Sequence, residues 1–205
     1  ANTTGTNNVA VGYQALDANT TADNNTALGR AALGANTAAN NTGVGNASLT
    51  ANTTGTNNVA VGSLALLSNT TASENTSMGV ESLEANTTGQ QNCAFGFRSL
   101  EDNNADHNTA FGHESLKENT TGTENVAVGA NALQVNTTGN ANIAIGFEAL
   151  DANTTGSNNT AVGRSSLGAN TTASNNTAVG YHALKATTTG TGNVAVGANA
   201  LDACT

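Results

Sequence analysis

One unit of about 17 residues is written twelve times along this 205-residue chain. Its anchor is the glycine of an Ala-Val-Gly-like string, at Gly12, Gly29, Gly45, Gly62, Gly79, Gly96, Gly112, Gly129, Gly146, Gly163, Gly180 and Gly197. Nine of the intervals are 17 residues and two are 16. A period in this range predicts a solenoid, in which coil stacks on coil because no coil can bury a core alone. The predicted fold is all-β: a parallel β-solenoid (β-roll) of about twelve coils of 16–17 residues, one repeat domain over 1–205.

Three positions are invariant within the chain. One is the glycine. The second is a leucine four residues later, beginning Leu16, Leu33, Leu49, Leu66. The third is an asparagine four residues before the glycine, beginning Asn8, Asn25, Asn41, Asn58. A further asparagine sits seven after the glycine, from Asn19 to Asn170, replaced by Thr187 and Cys204 in the last two coils. The run before the glycine, as in Asn193-Val194-Ala195-Val196, is β-like. The glycine allows a bend or a positive φ. The leucine segment is expected to form a second short side, and Asn-Thr-Thr-Gly a turn. Stacked in register, each invariant position becomes a ladder at about 4.8 Å, and asparagine amides can bond the coils above and below. Twelve coils at that spacing predict a length of about 58 Å. Both shortened intervals lose their residue between leucine and the next asparagine, which preserves strand register.

The residue two before the glycine is small throughout, so two sheets are expected to approach closely in a flattened coil. Alternation in Val194-Ala195-Val196 gives one small and one bulky apolar face. The bulky face, with the leucines added to the surplus, predicts cover by copies of the same chain. A net charge of −9 argues against nucleic-acid binding, and no apolar run is long enough to insert in a membrane as a helix. Both ends fall within a repeat, which predicts an excerpt of a longer fibre or one unit of a polymer. Stacking separates Cys93 from Cys204 by about 30 Å, too far for a disulfide; Cys93 reads as a small strand residue.

The residue after each glycine varies, which marks exposure. Tyr13, Phe97, His113, Phe147 and Tyr181 fall there. They are read as filling an oligomer interface, with a glycan-contacting strip as the alternative. Residues 74–124 hold nine of the fourteen acids, and Asp102 and Asp106 in a shortened turn are the weak candidates for a hard cation; otherwise no metal and no cofactor is expected. There is no Gly-x-Ser-x-Gly elbow, phosphate loop or cleft-forming carboxylate pair, so no catalytic residue is assigned. The Asn-x-Thr sequons at Asn2, Asn19 and Asn52 follow from the turn itself.

The string Asn-Thr-Ala-Val-Gly-x-x-Ala-Leu followed by Asn-Thr-Thr-Gly resembles repeats of phage tail fibres and of the YadA-like heads of trimeric autotransporter adhesins. The resemblance covers essentially the whole chain. It implies a left-handed roll, a homotrimer and a role in attachment outside the cell, on a cell surface or on a virion. The expected function is the shaft of such a fibre, with a receptor or glycan bound by other parts of the protein. A self-assembling extracellular filament is one alternative. The other is an ice- or glycan-binding face built on threonine rows such as Thr20, Thr53, Thr70, Thr87, Thr120 and Thr137, a row that Asn104 interrupts.

Overall fold

The computed structural model describes residues 2–203; Cys204 lies outside them. The chain forms two compact units, Ala1–Asn104 and Ala105–Thr205. Each coil supplies one three-residue strand. The first unit holds β1 (Val9–Val11), β2 (Thr26–Leu28), β3 (Thr42–Val44), β4 (Val59–Val61), β5 (Thr76–Met78) and β6 (Cys93–Phe95). The second holds β7 (Thr109–Phe111), β8 (Val126–Val128), β9 (Ile143–Ile145), β10 (Thr160–Val162), β11 (Thr177–Val179) and β12 (Val194–Val196). Within each unit consecutive strands pair in parallel, residue against equivalent residue, as the repeat predicts. The 16-residue interval leaves no trace in this register: Thr26 pairs with Thr42, and Thr42 with Val59. The lost residue is absorbed in the turn, where the Asn36 amide donates to the carbonyl two residues on, rather than three on as Asn52 and Asn69 do.

The anchoring glycines have φ between 128° and 147°. This backbone is closed to other residues for a second reason. A Cβ on Gly129 would stand 2.5 Å from the carbonyl oxygen of Gly146 in the next coil.

The leucine side differs from the expected second sheet. It is a stack of tight turns in which the leucine four after each glycine is left-handed, at φ near 50–53°. The residue two after each glycine is left-handed too, and so is the one five before it, as at Asn7, Glu74 and Asn158. A left-handed leucine costs about 1–2 kcal/mol. It is held because the conformation directs the side chain inward, where Leu33 through Leu184 are fully buried, for about 1.5–3 kcal/mol each. The neighbouring coil also fixes the backbone: Leu33 N–H donates to Ser48 and Leu150 N–H to Ser166. The leucines therefore fill the core and are not part of an exposed surplus. They meet the small inward residues of the strands, such as Ala60, Ala94 and Ala144, which are equally buried.

Candidate functional site

Two asparagine columns run beside that core, and they are buried rather than set in solvent. In the column four before the glycine, each Oδ1 accepts the backbone N–H of its counterpart in the next coil. These bonds are 2.8–3.0 Å from Asn8 to Asn92 and 3.0 Å from Asn108 to Asn193. In the column seven after it, amide bonds amide, as in Asn153 to Asn136 at 2.8 Å and Asn170 to Asn153 at 3.0 Å. The columns converge on one carbonyl per coil: Gly156 accepts from both Asn142 and Asn153, at 2.8 and 3.0 Å. In the column four before the glycine, which holds asparagine in every coil, the amide must both accept a backbone donor and reach a turn carbonyl, a pair of tasks that a serine hydroxyl is too short to perform. The sequon asparagines Asn19 and Asn52 belong to the second column, so the threonines after them serve the turn.

The outer face of the strands is apolar. The residue before each anchoring glycine is apolar in all twelve coils, and no strand contains a charged residue. Leu28, Met78, Phe111, Val128 and Ile145 of this column are exposed, as is Ile143 two residues from the last.

The five residues singled out after the glycines are all exposed, but they do not form one continuous strip. Tyr13 stands alone in its coil. The Arg98 guanidinium lies 4.9 Å from the Phe97 ring. His113 Nδ1 is 4.0 Å from Glu114. Phe147, Arg164 and Tyr181 occupy three consecutive coils, with the Arg164 guanidinium 5.5 Å from the Phe147 ring. The Tyr181 ring stacks on His182 at 3.7 Å and 21°.

Asp102 and Asp106 fall in different units. The carboxylates that do gather are Glu81, Glu84 and Glu101, which offer oxygens within 4.8 Å of one another. Arg98 sits among them, with its Nε 2.5 Å from Glu81 and 3.8 Å from Glu101. Burial pushes the Glu84 carboxyl above its usual range, and the charges of Glu81 and Glu101 push it further. Reading across the 17-residue register would have found this group, because Glu84 and Glu101 occupy the same position in successive coils. Arg98 supplies the countercharge there.

The threonine row has an internal use. Thr53 donates its hydroxyl to the Thr70 carbonyl, Thr120 to Thr137 and Thr154 to Thr171, at 2.9–3.0 Å. Where Asn104 interrupts the row, its Oδ1 accepts from the backbone and hydroxyl of both Thr87 and Thr88, at 3.0–3.2 Å. Asn104 thus replaces the backbone carbonyl that the shortened turn withdraws. Burial raises the pKa of the half-buried Cys93 thiol, which makes it a poor nucleophile. An open depression of about 390 Å³ is lined by Gln14, Asp17, Ala18, Ala31, Gly34, Ala35 and Thr50. No helix among the described residues is long and apolar enough to cross a membrane. No protein-family model, curated protein or solved structure matches the chain.

Proposed function

We propose that the chain is a shaft segment of an attachment fibre, carried on a virion or a cell surface, in which copies of the chain associate through the outer face of their strands. The observation that carries this reading is the charge-free apolar column before the glycines, in a protein whose charge is −9 and lies on its turns. Fixed in every coil at one pitch, that column fits a second copy of itself, because only an equal pitch keeps side chains in register along the contact. Burying what remains exposed of each Val, Ile or Leu adds roughly 1 kcal/mol per coil. The role is mechanical. Backbone ladders on each side of the coil and two amide columns inside it resist bending and hold a receptor-binding element away from its anchorage. A thermodynamic ice-binding role is disfavoured by the threonine hydroxyls, whose protons are committed to carbonyls of neighbouring coils.

Antibodies raised against this chain test the proposal on the intact virions or cells that make it. Gold label along projecting fibres is the expected result. Label confined to the interior of the particle or cell would overturn it.

A further inference from the structure

In a strict repeat, a side chain that other coils do without is not required by the fold. The position after the glycine is Ala130 and Ala198 in two coils of the second unit, yet Phe147, Arg164 and Tyr181 in the three between them. Phe147 and Tyr181 are 44% and 45% exposed. An interface column would stay apolar from coil to coil, as the column before the glycine does; this one alternates aromatic, cation, aromatic. Its backbone is fixed by the ladder, with Ser165 N–H donating to Phe147 at 2.9 Å and His182 N–H to Arg164 at 3.0 Å. The rings are therefore held two coils apart, about 10 Å.

We infer that Phe147, Arg164, Tyr181 and His182 form a binding platform for an extended neutral oligosaccharide. Two exposed rings at this separation suit the apolar faces of sugars about one disaccharide apart along an extended β-linked chain. The Arg164 guanidinium in the coil between them, and the His182 imidazole stacked on Tyr181, offer planar hydrogen-bonding groups to ring hydroxyls. Burial, with Lys185 and Arg164 nearby, holds the His182 pKa below its ordinary value, which leaves the imidazole neutral at pH 7 with one donor and one acceptor. The ring stack of Tyr181 on His182 and the cation over Phe147 each cover one side of a ring and fix its orientation. Arg164 and Lys185 are offset by Glu148, Asp151 and Asp202, so the platform has no net positive field and selects a neutral ligand over a polyanion.

Saturation-transfer NMR with cellohexaose and mannohexaose, both extended and β-1,4-linked, tests this on the full chain. At least one is expected to bind, and Phe147→Ala and Tyr181→Ala each to weaken it about three- to tenfold. Both variants should fold, since alanine already occupies this position in other coils. Tyr13→Ala is expected to leave the affinity unchanged. The inference fails if neither hexasaccharide shows transfer, or if both variants bind as the parent does. It also fails if either variant lowers the mass in solution, which would make these rings a contact between chains. Gold labelling of fibres and glycan binding are independent readouts, so either proposal can fail without the other.

Discussion

Replacing Asn142 with alanine isolates the asparagine column from the rest of the repeat. Asn142 Oδ1 accepts the backbone N–H of Asn159 at 3.0 Å and its Nδ2 at 3.2 Å. Asn142 Nδ2 donates to Gly156 O at 2.8 Å and to Asn125 Oδ1 at 3.2 Å. Three of these partners have a second bond to fall back on. Asn159 Nδ2 keeps Ala173 O, Gly156 O keeps Asn153, and Asn125 Oδ1 keeps the backbone N–H of residue 142. The backbone N–H of Asn159 has no such reserve and becomes an orphaned buried donor, at a cost of about 1–3 kcal/mol. The lost secondary bonds and the vacated volume bring the total to roughly 2–4 kcal/mol. That is a large share of the ~5–15 kcal/mol that holds a typical domain. Urea unfolding followed by circular dichroism, at one fixed protein concentration, reads the difference. Hydrogen exchange reads its location: protection should fall at Asn159 and persist at Asn176. Asn46→Ala is the control, at an exposed position that tolerates alanine in other coils, and should stay within about 0.5 kcal/mol. If Asn142→Ala were as mild as Asn46→Ala, the buried amide column would not be what holds neighbouring coils together.

Other perturbations separate the remaining contributions. Gly129→Ala places a Cβ 2.5 Å from Gly146 O at φ +132°, and should cost about 3 kcal/mol or more in the same urea titration. Asp151 is held above its ordinary pKa by burial first and by Glu148 second. Its contribution to stability is therefore fully present below the unfolded value near 3.8 and is lost as pH rises through the raised folded value. Asp151→Asn should accordingly raise the melting temperature at pH 7, with the gain disappearing in acid. One residue inserted between Ala144 and Ile145 would send Ile145 to the wrong face and abolish cooperative unfolding. The same insertion in the short turn at 37–39 should leave unfolding unchanged within about 0.5 kcal/mol.

The parallel stacking and the amide columns were legible because equivalent residues lie one repeat apart, so invariance in sequence becomes contact in space. Ala144 and Asn142 could be placed from spacing alone. The leucine turn could not. Leucine has no preference for left-handed backbone, and nothing local in Ala-Leu announces φ near +52° at Leu33 or Leu133; the conformation is imposed by the coils on either side. Hence the expectation of a second sheet, and the counting of leucines as surface. The left-handed position five before the glycine was more readable, since Asn7, Asn24, Asn40 and Asn57 are residues that tolerate it. The gathering of Glu81, Glu84 and Glu101 was missed because acids were sought along one turn, between Asp102 and Asp106, instead of across coils.

We propose that the charge-free strand face joins copies of the chain into a shaft. Sedimentation equilibrium measures this most directly, on the parent chain and on Ile145→Lys, with circular dichroism confirming that both fold. Association through this face, with the homotrimer that the repeat resemblance implies, predicts a mass of three chains for the parent and of one chain for the variant. A parent that sediments as a single chain at all concentrations would contradict it.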